Sequence, residues 1–268
     1  MRYFKQYGCK RTGTNYLRAL LQQNFEDVIV LMHTLGGKHE YPVDLQKYLE
    51  EYHNDPEGFV IAATSAHPAE TSLPFSAEQT AFMKVHAAGL SNAVSNHQIH
   101  YLVSIKNPYA WINSNKDPES WVNNNYRDIL LANGAYSHKA RINLLIKLKS
   151  REFNSLYSSY FDLSKQFPAQ TTIVRYEDIL ADTAGFLSGL SQRLRLKSSR
   201  PFFVDIKGST VPTVWDQEFT ADKNNDEFTR DYYLKENYLN DLSSDIITIL
   251  EAEIDWDLMK NYGYYKLN

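Results

Sequence analysis

The chain has a single cysteine, Cys9, in 268 residues. That excludes an internal disulfide framework and a cysteine-built zinc site, and it fits a reducing compartment. No run of 18 consecutive apolar residues occurs, so no membrane-spanning helix is expected. Positive charge is not in surplus: 28 Lys and Arg against 32 Asp and Glu leave a net charge of −4. Bulk attraction to nucleic acid or an anionic membrane is therefore not expected, and no basic-aromatic patch offers a nucleic-acid face. There is no internal repeat, and the longest Pro/Ser-rich break, 65–76, is short. The opening MRYFKQYG carries no secretory apolar region. These absences lead to the expectation of a cytoplasmic protein.

What is present is apolar and aromatic. A hydrophobic content of 43% supplies a sizeable core, and nineteen tyrosines suit half-exposed aromatic walls. Strands are expected at 2–8, 27–32, 59–64, 99–105 and 171–176, several of them short apolar runs of the kind covered on both faces. Helical patterns fill 14–24, 43–53, 77–95, 119–132, 137–150, 152–167, 182–195 and 240–251. The alternation points to one α/β domain over 1–268. Its sheet is doubly wound and mainly parallel, with about five strands between helices in a three-layer α/β/α arrangement of the P-loop NTPase type. Ligands in such sheets sit beyond the carboxyl ends of the strands. Residues 118–168 read as a helical insertion over the acceptor cleft.

Two segments carry chemistry. The first, GCKRTGTN at 8–15, follows a strand and opens a helix. Gly8 and Gly13 have the spacing of the phosphate-loop pattern G-x-x-x-x-G-K-[ST], but Thr14 stands in place of the lysine and Asn15 in place of the magnesium-holding hydroxyl. The helix-start amides still suit an anion, and Lys10 and Arg11 add charge inside the loop. The apparatus that holds a metal-bound nucleoside triphosphate is missing. Alone, a glycine turn capped by Thr12 or Thr14 explains the stretch equally well. In the second segment, YLVSIKNPYAWINSNKD at 101–117, Lys106 emerges at a strand end and Pro108 can begin a helix. Ser114 follows eight residues after Lys106, so one turn brings both side chains to a second anion.

Together these segments resemble the sulfotransferase family that uses 3′-phosphoadenosine 5′-phosphosulfate. Arg11, Thr12, Gly13, Thr14, Asn15 and Tyr16 follow its 5′-phosphosulfate loop [KR]-S-G-T-[TN]-[WY], with Thr for Ser. Lys106, Asn107, Pro108 and Ser114 follow its 3′-phosphate segment, with lysine where arginine is commoner. TTIVRYEDIL at 171–180 is similar to a third family segment whose tyrosine, here Tyr176, lies near adenine. DLMKNYGY at 257–264 resembles the family's ending. IKGSTVPTVWDQEFT at 206–220 resembles a loop in which Arg-Lys-Gly contacts the 3′-phosphate. Lys207 and Gly208 fit that loop, and Ile206 replaces the arginine.

The resemblance implies in-line transfer of a sulfuryl group to a hydroxyl or amine, without a metal. It implies that Arg11 stabilises charge on the bridging oxygen and that Thr12, Gly13, Thr14 and Asn15 hold the 5′-phosphate, with Lys10 adding its charge to the cofactor-binding loop. Tyr16 and Tyr176 would then flank adenine, while Lys106, Ser114, Lys207 and Gly208 hold the 3′-phosphate. A general base is also needed. His39, in Lys38-His39-Glu40, is the first choice, His67 is in reserve, and His33 remains open. The acceptor is unidentified, with a saccharide or small alcohol favoured. Two other readings stay open: a phosphate-loop kinase, against which Thr14 and Asn15 argue, and a non-catalytic nucleotide-binding protein.

Overall fold

The computed structural model describes residues 2–26, 28–31, 35–43, 50, 54, 92–93, 96–115, 129, 132–135, 137–205, 211–212, 218–219 and 230–267. The expected strand at 59–64 and the expected helices at 43–53, 77–95 and 119–132 lie wholly or largely outside these residues. Among the described residues, no helix is long and apolar enough to cross a membrane.

Among the described residues, four parallel strands form the central sheet: β1 (Arg2–Gly8), β2 (Val28–Leu31), β3 (Ile99–Ile105) and β4 (Thr171–Arg175). They lie in the order β2-β1-β3-β4. The register runs Arg2 to Val28, Tyr3 to Ile99 and Tyr101 to Thr171. The chain leaves β1 for β2 on one side and then returns to β3 on the other, so the order reverses between β1 and β3. Such a reversal leaves a crevice at the carboxyl ends of the two strands.

Alternation along β1 divides the core. Tyr3 and Tyr7 face one apolar cluster, and Phe4 faces another. The Phe4 side is covered by α1 (Thr14–Asn24), whose Leu17, Leu20 and Leu21 recur at helical spacing and are fully buried. The Tyr7 side is covered by α3 (His138–Gln166). This element corrects the sequence reading, which broke it into two helices at residue 151. Arg151 and Glu152 are good helix formers, and no Gly or Pro interrupts the run. Ile146, Phe153 and Tyr160 continue one buried stripe straight through the expected gap. Ser137 caps its start, accepting the Ala140 N–H at 3.1 Å.

Further helices follow among the described residues. These are α2 (Pro108–Asn113), α4 (Tyr176–Ala181), α5 (Thr183–Leu194), α6 (Arg230–Leu234), α7 (Ser244–Glu253) and α8 (Trp256–Lys260). Val211–Pro212 and Glu218–Phe219 form a small antiparallel pair. Many tyrosines lie inside rather than along walls: Tyr7, Tyr109, Tyr157, Tyr160 and Tyr238 are fully buried. A buried phenol needs a partner. Tyr7 donates to the Leu35 carbonyl, and Tyr262 donates to the Tyr157 carbonyl at 2.6 Å.

Candidate functional site

The crevice is built first by the loop that leaves β1. A Cβ on Gly8 would lie 2.7 Å from the Ser104 carbonyl oxygen and 2.8 Å from Thr12 Oγ1. Only glycine lets β3 and the returning loop close on this point. Gly13 takes a left-handed φ of 80°, and Arg11 does so at 68°. Most of the loop's carbonyls are engaged. The Thr12 amide and hydroxyl donate to the Cys9 carbonyl at 3.3 and 2.7 Å. Trp111 Nε1 donates to the Lys10 carbonyl at 3.0 Å, Lys106 Nζ to the Arg11 carbonyl at 3.4 Å, and Gln6 Nε2 to the Thr14 carbonyl at 2.7 Å. Gly13 caps α1 without any side-chain bond, and no acidic residue lies in the first turn. The leading amides and the helix dipole therefore present positive potential to the crevice.

Lys106, just past β3, forms the second wall. It is 2% exposed. Its amide donates to the Tyr157 hydroxyl at 2.9 Å, which fixes the backbone where the strand ends. Asn107 caps α2 by accepting the Tyr109 N–H at 2.9 Å, with Pro108 at the helix start. That short helix delivers Ser114 Oγ to 3.1 Å from Lys106 Nζ. The eight-residue spacing thus brings the two side chains together. Burial, with a lesser push from Arg11, lowers the Lys106 ammonium to about 7, and Glu177 opposes the shift.

The third wall is the loop 35–43. The Gly8 amide donates to the Lys38 carbonyl at 2.9 Å, and His39 Nδ1 lies 2.7 Å from the Gly8 carbonyl. A carbonyl only accepts, so Nδ1 carries the proton and Nε2 keeps its lone pair. Burial above all, then Lys38 and Lys10, lowers the imidazole to about 4, against the Gly8 bond and Glu40. Lys38 Nζ donates to Asn15 Oδ1 at the first turn of α1. Burial and neighbouring Arg18 lower its ammonium to about 8. Glu40 is occupied elsewhere, with Oε2 accepting the Gly37 N–H at 2.6 Å.

Aromatic rings close the fourth side. Tyr176 opens α4 and packs on Gly13 so closely that a Cβ there would meet the ring at 2.3 Å. Tyr16 stands edge-on to it with centroids 6.3 Å apart, and its hydroxyl donates to Asp205 Oδ1 at 2.6 Å.

The structure therefore gathers Lys10, Arg11, Thr12, Gly13, Thr14, Asn15, Tyr16, His39, Lys106, Ser114 and Tyr176 around one crevice. The side chains of Lys10 and Arg11 are exposed, whereas Thr12 is buried with its hydroxyl committed. His33, His67, Lys207 and Gly208 lie outside the described residues. Among the described residues, no ion pair involves Lys10, Arg11, Lys38 or Lys106. Four cationic side chains on the segments around the crevice, none in an ion pair and only Lys106 with a carboxylate, Glu177, acting on it, suit a polyanionic ligand.

Sequence reasoning missed three participants. Tyr233 of α6 lays its ring 4.2 Å from Lys106 Nζ. Glu177 accepts the Asn107 N–H at 2.9 Å and the Tyr264 hydroxyl at 2.7 Å. Trp111 pins the loop through the Lys10 carbonyl. The Tyr-Glu-Asp following β4 was a signal for Glu177; nothing local marks Tyr233.

No protein-family model and no curated protein matches the chain. One solved structure is similar, the sulfotransferase domain from the Synechococcus PCC 7002 olefin synthase. It shares 16% identity at a TM-score of 0.42, with 94% of this chain and 93% of that one covered. A likeness at that level carries no argument about activity.

Proposed function

We propose that this chain is a sulfotransferase. It takes a sulfuryl group from 3′-phosphoadenosine 5′-phosphosulfate to a hydroxyl or amine of a small or saccharide acceptor. The observation that carries the reading is the convergence of two motifs far apart in sequence. Lys106 Nζ reaches both Ser114 Oγ, at 3.1 Å, and the Arg11 carbonyl of the phosphate loop, at 3.4 Å. A bisphosphorylated nucleotide needs two anion subsites within one molecule's reach, and this contact joins them. The fit is further supported by the glycine cradle at Gly8 and Gly13 and by the uncapped start of α1.

The donor supplies the sulfuryl group through a labile bond to its 5′-phosphate. The protein's part is then electrostatic. The amides of Gly13, Thr14 and Asn15 and the Arg11 side chain hold the 5′ end and take up charge as it grows on the leaving oxygen. Lys106 and Ser114, joined by Lys207 and Gly208, hold the 3′-phosphate. Tyr16 and Tyr176 flank the base. His39 Nε2 receives the proton of the attacking group, its tautomer set by the Gly8 carbonyl. Lys38, from the neighbouring position, supplies the cation that the loop lacks at Thr14. His67 stands as the second choice of base. All of 1–268 forms one domain, with 118–168 beside the acceptor cleft. Contact between α3 and the loop of His39 supports that placement: the Tyr41 hydroxyl donates to Ser155 Oγ at 3.0 Å.

Binding of 3′,5′-bisphosphoadenosine, 5′-AMP and Mg-ATP by calorimetry and thermal shift tests the reading. The bisphosphate at 100 times its dissociation constant should stabilise the fold by about 2.7 kcal/mol. Arg11→Ala and Lys106→Ala should weaken it, while His39→Asn should bind normally and lose turnover. Equal binding of 5′-AMP and the bisphosphate would mean that Lys106 and Ser114 form no 3′-phosphate site. Preference for Mg-ATP would favour the kinase reading.

A further inference from the structure

Lys106 and Ser114 are already engaged by one side chain from far along the chain. The ring of Tyr233 sits 4.2 Å from Lys106 Nζ, closer than the ring of Tyr176 at 4.9 Å. The Tyr233 hydroxyl is hydrogen-bonded to Ser114. The same tyrosine thus occupies both groups that would hold a 3′-phosphate, with its π-face on the cation and its hydroxyl on the serine. Two of its neighbours in α6 fix its position. Arg230 Nη2 reaches Asp205 Oδ2 at 3.4 Å and also donates to Thr183 Oγ1, beside the Tyr16 hydroxyl. Tyr232 receives the Asn113 amide and donates to Asp241. Tyr176 and Tyr233 meet edge to face at 5.4 Å, so the aromatic groups close on themselves over the lysine.

We propose that Tyr233 is the gate of the donor site: its ring and hydroxyl stand where the 3′-phosphate must come, and it swings off Lys106 and Ser114 as the nucleotide enters. This rests on the reading of the crevice as a bisphosphate nucleotide site. The exchange is physically reasonable. A cation–π contact and one neutral hydrogen bond give way to charge-assisted bonds from lysine and serine to a dianion, which are stronger. A nucleotide without a 3′-phosphate brings nothing that displaces the ring, so the gate opens for one class of ligand. The 2% exposure of Lys106 fits a closed gate.

The test compares wild type with Tyr233→Ala, Tyr233→Phe and Arg230→Ala, with two readouts. The first is the rate at which an amine-acylating reagent labels Lys106, followed by mass spectrometry. The second is calorimetric affinity for 3′,5′-bisphosphoadenosine and for 5′-AMP. With the gate removed, Lys106 labelling should quicken, bisphosphate should bind roughly 3- to 30-fold more tightly, and 5′-AMP should be unchanged. Tyr233→Phe keeps the ring and loses the serine bond, so its gain should be smaller. Arg230→Ala should shift both readouts the same way without touching Lys106. Unchanged labelling in all three variants would overturn the gate. So would bisphosphate binding that weakens while labelling quickens, because Tyr233 would then be a wall of the bound site. If neither wild type nor any variant prefers bisphosphate to 5′-AMP, the donor reading itself fails, and the gate with it.

Discussion

A buried ammonium that stands near half protonation at neutral pH is the most informative residue in this protein. In the free protein Lys106 sits at about 7, mainly because burial strips its hydration. A phosphate beside it favours the charged form, so binding must raise its pKa and draw in a proton whenever the pH exceeds about 7. Affinity for the bisphosphate should therefore fall as pH rises from 7 to 9, by up to about tenfold per unit. Calorimetry in buffers of different ionisation enthalpy should register proton uptake over that range and little below pH 6. Replacing Lys106 with Met should leave only the smaller dependence contributed by Lys38, whose ammonium is lowered to about 8. The lysine and its serine partner were legible in the sequence, because a strand end, a proline and an eight-residue interval set local geometry. The state of His39 was not. Its tautomer comes from the Gly8 carbonyl, 31 positions away, and no local pattern encodes such a contact.

Elements whose signals are local came through best. The expected helix at 14–24 is α1 to the residue, since its leucines recur at helical spacing and Phe25 turns extended. The expected 182–195 became Thr183–Leu194, started by Asp182 accepting the Gly185 N–H at 2.8 Å. Elements defined by packing fared worse. The long α3 was divided at residue 151 although the chain runs through it as one helix, and the five-residue α6 is too short to show periodicity. The start of α1 carries a prediction of its own. Gly13 combines a φ of 80° with a Tyr176 ring that leaves no room for a methyl group. Gly13→Ala should lower stability by about 2 kcal/mol or more, roughly 4–8 °C in Tm, and should abolish nucleotide binding. A melt matching wild type would contradict this account of the loop.

At the scale of the whole molecule, the doubly wound, mainly parallel sheet was legible, because alternating strands and helices admit few topologies; the place of its reversal, between β1 and β3, comes from the strand order. What ties the far end of the chain to the crevice was not. Glu177 accepts from Asn107 on one oxygen and from Tyr264 on the other, and the Tyr264 ring also lies 4.7 Å from the Arg175 guanidinium. Tyr264→Phe leaves a carboxylate oxygen without its donor beside Lys106. It should cost about 1–3 kcal/mol in denaturant unfolding and also weaken bisphosphate binding, an effect that an equally destabilising change on the outer face of α7 should not share. The strand order has a consequence during synthesis. Tyr3 pairs with Ile99 and Gly8 with Ser104, so β1 emerges from the ribosome long before its inner neighbour exists. At roughly 5–20 residues per second, one edge of that tyrosine-rich strand waits on the order of 5–20 s for β3. The nascent chain therefore carries an inner strand of its sheet open to chaperones, or to another nascent copy, for longer than many small domains take to fold.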